Sequence, residues 1–326
     1  MMQPAGAPHN AGLTASKTQA MIIGDVADVK TATSGGCVLM GGGADVNNAF
    51  KWMLQRSGGG DIVVIRSFGD DAYNEYLYKL YPVNSVETII IDSRGKANDT
   101  RIADKIRNAE ALFISGGDQW EYVKYWKGTK TNEAINYLVN TKKVTIGGTS
   151  AGCAILGNIC FDAKNGTVTS QQVLNNPYNS RVSFTTDFID IPVLKNMITD
   201  THYNDPDRRG RHTGFMARLF NDEDIPVKGI GVEESTAVCV DENGQAKVFG
   251  NNKAYFLNAS TEKGKPEICA AGKPLTWNKG RMAVSVYTIN ARPAGYGSAD
   301  IVHFNNFSGG KYQYFSAANG EFFIRQ

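Results

Sequence analysis

The chain has 326 residues and a net charge of +2 at pH 7, with 42% hydrophobic and 20% charged residues. This balance is typical of a globular protein with a packed core. No lysine or arginine block stands out and no apolar run approaches the length of a membrane span, so we expect neither a nucleic-acid nor a membrane partner.

The cysteines and the N-terminal sequence say little about metal binding, disulfides or the cellular compartment. Five cysteines are scattered without metal-ligand spacing, so we expect no metal site and no disulfide framework, and only a single bridge is left open. They are Cys37, Cys153, Cys160, Cys239 and Cys269. The first residues contain no apolar core of the signal-peptide type. We therefore expect either an intracellular protein or a sequence that begins after a removed leader.

Strand and helix patterns alternate from residue 37 onward. Apolar runs predict strands, and apolar residues spaced by three and four predict helices. The predicted strands are 37–40, 61–66, 86–91, 111–115 and 144–148, and the predicted helices are 46–54, 71–81, 100–108 and 132–140. This alternation predicts an α/β fold with a mostly parallel, doubly wound sheet. Because ligands collect at the carboxyl ends of such strands, the glycine-rich segments 41–43, 116–117 and 147–152 should cluster at one edge.

The texture changes after about residue 220. Short strands are separated by turn residues, at 228–232, 237–240, 247–249 and 254–257, and the last residues are rich in glycine, asparagine and aromatics. We therefore predict an irregular lead-in over residues 1–35, a main domain over 36–260 and a small β-rich C-terminal extension over 261–326.

The segment Gly147–Gly152 carries the strongest chemical signal. A strand runs into Ser150, which is flanked by small residues, and a predicted helix begins at Ala151. This is the layout of a nucleophile elbow, in which the helix N-terminus presents backbone N–H groups to a developing oxyanion. The alternative is a glycine-rich turn that binds phosphate or nothing.

A nucleophilic serine needs a base, and the chain has four histidines: His9, His202, His212 and His303. His202 follows Asp200 and precedes the cationic cluster Arg208, Arg209 and Arg211, which makes it the best candidate. His212 is the second candidate.

The segment Gly116-Gly117-Asp118-Gln119 ends another predicted strand. Gly116 and Gly117 would let backbone N–H groups face a substrate oxyanion, and Gln119 could bind a substrate amide. The alternative is a simple strand-ending turn.

Several segments occur in an order that resembles the cyanophycinase-type peptidases. They are Gly41–Gly43, GGGDIVVIRSFGDDAYNEYL (58–77), SGGDQ (115–119), GGTSAG (147–152), TDTHYNDPDRRGR (199–211) and GIGVEESTA (229–237). The resemblance covers roughly residues 36–257.

The resemblance implies a flavodoxin-like sheet related to class I glutamine amidotransferases and a serine peptidase acting at aspartyl residues. It implies Ser150 as nucleophile, His202 as base, and Gln119 and Asp200 as substrate contacts. The oxyanion would be held by Ala151 and by Gly116 or Gly117. Arg208 and Arg211 would bind substrate carboxylates. The implied partner is a peptide or isopeptide such as cyanophycin or a β-aspartyl peptide; no cofactor is implied, and a homodimer is left open.

The sequence departs from the family pattern at two positions. Pro206 stands where an arginine belongs, and proline offers no side-chain donor. Gln172 stands where the family segment has glutamate, so an amide would complete the triad unless Asp162, Asp187 or Asp190 does so. These departures favour, as the main alternative, a catalytically impaired relative that binds aspartyl peptides. Amidotransferase-like or esterase activity on the same fold is a further alternative.

Overall fold

The structure is a computed structural model that describes residues 21–260 and 262–326. His9 and most of the predicted lead-in lie outside the described residues. The described helices are α1 (Asn47–Arg56), α2 (Ala72–Leu80), α3 (Arg94–Ala97), α4 (Thr100–Asn108), α5 (Gln119–Trp126), α6 (Lys130–Tyr137), α7 (Ala151–Ala154), α8 (Ser170–Asn175) and α9 (Arg209–Glu223). A π-helical turn, Leu138–Lys142, extends α6, and a 3-10 turn covers Pro192–Leu194. None of these helices combines the length and apolar character needed to cross a bilayer.

The strands form two large sheets and a short hairpin. They are β1 (Ile22–Gly24), β2 (Gly36–Met40), β3 (Asp61–Arg66), β4 (Ser85–Ile90), β5 (Ala111–Ile114), β6 (Thr145–Thr149), β7 (Cys160–Phe161), β8 (Phe184–Thr185), β9 (Met197–Asp200), β10 (Lys228–Val232), β11 (Thr236–Asp241), β12 (Gln245–Gly250), β13 (Lys253–Ala259), β14 (Val284–Asn290), β15 (Tyr296–Asp300), β16 (Asn305–Ser308), β17 (Gly310–Ala318) and β18 (Glu321–Arg325).

The first sheet has the order β1-β4-β3-β5-β6-β2-β11-β12-β15-β16. Its centre, from β4 to β2, is parallel, and the strands on either side are antiparallel. Alternate residues of β3 belong to different apolar clusters: Ile62 and Val64 pack with residues of α1, and Val63 and Ile65 pack with residues of α4 to α6. The parallel centre is therefore buried on both faces, which confirms the predicted α/β fold.

The second sheet has the order β18-β17-β14-β13-β10-β9. Only β9 and β10 run parallel, in the register Lys228↔Met197 to Gly231↔Asp200. The strands of the predicted C-terminal extension contribute to both sheets, since β14 pairs with β13 and β15 pairs with β12. The division into domains stays a prediction, and both sheets span the predicted boundary at residue 260.

Two sets of strand ends, one from each large sheet, meet near Ser150. β6 lies between β5 and β2 in the parallel centre, so the three predicted glycine-rich segments do end at the same edge. The carboxyl ends of β9 and β10 are also adjacent. The sequence patterns did not predict β9, α5 or α9. The reason is clearest for α9, where ten of fifteen residues are buried and include Arg211, His212 and Thr213, so that no single apolar stripe marks the helix.

Candidate active site

Ser150 lies at the sharp turn between β6 and α7. Its backbone adopts φ 52° and ψ −119°, a conformation that costs a residue with a side chain about 1–3 kcal/mol. The turn is close-packed, because a Cβ on Gly152 would lie 2.1 Å from the carbonyl oxygen of Ile114. Glycine at this position allows α7 to fold back against the end of β5. The strand, serine and helix are thus arranged as the sequence predicts.

His202 reaches Ser150 from the second sheet. It follows β9, has φ 47°, and its backbone N–H donates to the carbonyl of Gly41 at 2.7 Å. Its Nε2 lies 2.7 Å from the Oγ of Ser150. Gly42 makes room for the ring, because a Cβ there would lie 2.5 Å from two imidazole atoms. The loop after β2 therefore packs directly against the imidazole ring of His202.

Glu234, and not Gln172, is the partner of His202. The Nδ1 of His202 lies 2.6 Å from Oε1 of Glu234. The Oε1 of Gln172 instead accepts a hydrogen bond from the backbone N–H of Thr169 at 3.0 Å, within a capping box that starts α8. The prediction that Gln172 completes the triad is therefore wrong: a local helix cap uses its side chain.

The aspartates considered as alternatives to Gln172 do not bond His202 either. Asp162, for example, accepts hydrogen bonds from the hydroxyls of Ser183 and Thr185. A sequence signal for Glu234 did exist. Glu233 and Glu234 directly follow the apolar strand β10, and polar groups at the carboxyl ends of parallel strands are site candidates by the same rule that selected the glycine segments.

Asp200 and Arg211 form a buried ion pair. Arg211 donates from Nε to one carboxylate oxygen at 2.9 Å and from Nη2 to the other at 2.5 Å. Its Nη1 also donates to Thr167 and to the carbonyl of Val168. Burial alone would raise the pKa of Asp200, but the charge and hydrogen bonds of Arg211 outweigh it and hold that pKa below its usual value. Both side chains are therefore mutually satisfied, which differs from their predicted roles as substrate contacts.

Arg208 makes fewer side-chain hydrogen bonds than Arg211. Its Nη1 donates to the carbonyl of Thr201 at 3.0 Å and lies 4.0 Å from Asp200. Its Nε is buried and has no hydrogen-bond partner among the described residues. Burial, together with the charge of Arg211, lowers the pKa of Arg208. The Arg208 side chain is 20% exposed, and its one side-chain hydrogen bond among the described residues is the one to Thr201.

A pocket of about 370 Å³ opens in front of Ser150. The predicted site residues that line it are Gly117, Gln119, Ser150, Ala151, Asp200, His202, Arg208 and Arg211. Gly116 lies directly behind, since a Cβ on it would be 3.5 Å from the Cβ of Ser150. Gln119 donates to the carbonyl of Phe161 at a long 3.4 Å. Among the described residues, no group of three histidine, cysteine or acidic side chains is placed to hold a metal ion.

His212, the second candidate base, is fully buried away from the pocket lining. Its Nδ1 lies 3.0 Å from the hydroxyl of Tyr203. Burial lowers the pKa of His212 to about 4. It therefore packs α9 against β9 and does not reach Ser150.

The five cysteines are all unpaired in the described structure.

The chain belongs to peptidase family S51, whose family model matches residues 38–248. It is 25% identical over 208 residues to the cyanophycinase of Trichormus variabilis, covering 62% of this chain and 63% of that protein. It is 26% identical over 236 residues to the cyanophycinase of Synechococcus elongatus, covering 68% of each. The chain thus spans less than two thirds of the length of the first of these relatives. Among solved structures, a peptidase from an acI-B1 Actinobacterium superposes with a TM-score of 0.49 at 16% identity, over 69% of this chain and 91% of that one.

Proposed function

We propose that the chain is a serine-type peptidase with Ser150 as nucleophile, His202 as general base and Glu234 as the orienting acid. The observation that carries this proposal is the continuous chain of contacts from Ser150 Oγ to His202 Nε2 and from His202 Nδ1 to Glu234 Oε1. A carboxylate at Nδ1 holds the imidazole in the tautomer that leaves Nε2 free to accept a proton, and it stabilises the imidazolium that forms during attack.

The proposed reaction proceeds through an acyl-enzyme. Ser150 Oγ attacks the scissile carbonyl while its proton passes to His202 Nε2. His202 then gives that proton to the leaving amine as the C–N bond breaks, and a water molecule hydrolyses the ester by the same steps in reverse order. In this mechanism the backbone N–H of Ala151, with that of Gly116 or Gly117, stabilises the oxyanion.

The proposed substrates are aspartyl-containing peptides or isopeptides, of the cyanophycin-like or β-aspartyl kind. Arg208 supports this, because its side chain lines the pocket beside Ser150, is 20% exposed and makes a single hydrogen bond among the described residues, to the carbonyl of Thr201. The forked guanidinium suits a carboxylate. Gln119 lines the same pocket and can bind a substrate amide. Arg211 and Asp200 support the pocket wall instead, since each satisfies the other.

The alternative of a non-catalytic aspartyl-peptide binder rested on Gln172 and Pro206. The presence of Glu234 at His202 removes the first of these grounds. The substitution at Pro206 still distinguishes the chain from the family pattern and bears on which aspartyl substrate it accepts.

Labelling with a fluorophosphonate, followed by mapping of the adduct, tests the proposal without a known substrate. We expect modification at Ser150 that is lost in Ser150→Ala and strongly slowed in His202→Ala, while Ser298→Ala serves as a matched control far from the pocket. The substrate class is tested by comparing hydrolysis of an aspartyl peptide with that of its asparaginyl counterpart. A chain that is not labelled, or that is labelled equally well without Ser150, would contradict the mechanism.

A further inference from the structure

The triad acid lies on a short turn rather than on a strand. Glu233, Glu234 and Ser235 connect β10 to β11, and Ser235 has φ 54°. The side chain of Glu234 is 36% exposed, so water can compete for its carboxylate. Holding its oxygen 2.6 Å from His202 Nδ1 therefore requires that the main chain of Glu234 be fixed by other contacts.

One such contact comes from the histidine segment. Asn204 lies two residues after His202, and its Oδ1 accepts a hydrogen bond from the backbone N–H of Glu234 at 3.0 Å. The amide therefore ties the segment that carries the base to the turn that carries the acid. The separation of base and acid is set partly by this side chain.

The second contact comes from the opposite side of the turn. Asn252 Nδ2 donates to the carbonyl of Glu234 at 2.7 Å. Asn252 is itself fixed, because its N–H donates to Thr236 Oγ1 at 3.0 Å and its carbonyl accepts from the N–H of Ala291 at 2.7 Å. Asn204 thus satisfies the N–H of Glu234, and Asn252 satisfies its carbonyl together with a longer hydrogen bond of 3.2 Å from the Thr236 hydroxyl.

We propose that Asn204 and Asn252 are positioning residues that clamp the main chain of Glu234 and so fix its carboxylate on His202. This inference rests on the proposed function, because it assumes that Glu234 serves the triad. The two amides play opposite hydrogen-bonding roles, one as acceptor and one as donor. Substitution by aspartate, which keeps an acceptor but removes the donor, should therefore give different results at the two positions.

The rate constant for fluorophosphonate labelling of Ser150 tests the clamp. We expect Asn204→Ala and Asn252→Ala each to lower it about threefold to tenfold, the range for losing one hydrogen bond. Asn204→Asp keeps an acceptor and should lose less than Asn204→Ala. Asn252→Asp replaces the donor with an acceptor that faces a carbonyl, and it should lose more than Asn252→Ala.

A second background separates positioning from general destabilisation. In Glu234→Gln the clamp no longer places a carboxylate, so adding Asn204→Ala or Asn252→Ala should change the rate much less than in the parent. The control is Asn278→Ala, since the Oδ1 of Asn278 likewise accepts one backbone N–H, from Arg281; it should label at the parent rate.

The outcomes separate this inference from the function it rests on. Parent-like rates in both alanine variants, or equal losses with and without the Glu234 carboxylate, would overturn the clamp alone. Absence of Ser150 labelling in the parent would overturn the proposed function and the clamp together.

Discussion

The two sheets meet at the candidate active site, and they contribute to it by different physical means. The edge of the ten-stranded sheet shapes its part through backbone geometry, with Ser150 on a strained turn and Gly42 leaving space for an imidazole. The edge of the six-stranded sheet uses buried and paired polar groups: His202 on Glu234, Asp200 on Arg211, and His212 behind them. Steric changes should therefore damage the first side, and changes of charge the second.

The largest effect should come from the charge of Glu234. Glu234→Gln keeps the shape but removes the carboxylate that stabilises the imidazolium, and we expect kcat to fall about 10⁴-fold. Gln172→Glu is the matched opposite change. Because glutamate also fills a capping box, it should alter kcat by less than about twofold. A large increase of kcat in Gln172→Glu would show instead that residue 172 acts in the triad.

The buried ion pair should dominate stability on the same side. Arg211→Ala leaves Asp200 buried without its partner, and we expect the free energy of unfolding to fall by about 3–5 kcal/mol in urea titrations. Arg208→Ala should instead mainly raise KM for an aspartyl peptide. Two variants with the same balance of KM and stability changes would show that the arginines do not differ as described.

His212 should make the stability of this side depend on pH. Its pKa is about 4 in the folded chain, where burial disfavours the charged ring, against 6.5 for an ordinary histidine. The unfolded chain therefore binds the proton first, and stability present above pH 6.5 should decline by about 3 kcal/mol as pH falls to 4. Urea titrations at both pH values check this, and His212→Gln should show a much flatter dependence over that interval.

The smallest effect should be the steric one on the serine side. A Cβ in Gly42→Ala would overlap the imidazole of His202, so we expect a fall in kcat of about tenfold to hundredfold with KM little changed. Gly128→Ala is the control: Gly128 also has positive φ, at 67°, but no atom lies within 4 Å of the added carbon. Equal losses in both variants would assign the effect to backbone strain rather than to displacement of His202.

The sequence predicted the serine side well because its signals are local. Apolar strands, a serine among small residues and glycines after strands are all readable within a few positions, and the parallel centre of the sheet follows from their alternation. The strand ends then meet at one edge by topology alone.

The histidine side depends on tertiary contacts that sequence spacing does not reveal. Glu234 lies 32 residues after His202 and reaches it only because β9 and β10 pair in parallel. Arg208 and Arg211 look alike in the sequence, yet only Arg211 donates hydrogen bonds to the buried carboxylate of Asp200. Gln172 matched a family position but its side chain was already used by a helix cap. Strand pairing places Glu234, hydrogen bonding to a buried carboxylate separates the two arginines, and a local helix cap holds Gln172.

The six-stranded sheet is composed largely of residues beyond the region that matches the peptidase family. The match ends at residue 248, so it contains β9 and β10 but not β13, β14, β17 or β18. Truncation after residue 260 would remove β14 and leave one edge of β13 unpaired. An unpaired strand edge promotes intermolecular strand pairing and aggregation. The shared segment that carries His202 and Glu234 thus depends on the remainder of the chain for its hydrogen-bonded support, and engineering a minimal catalytic fragment would have to replace that support.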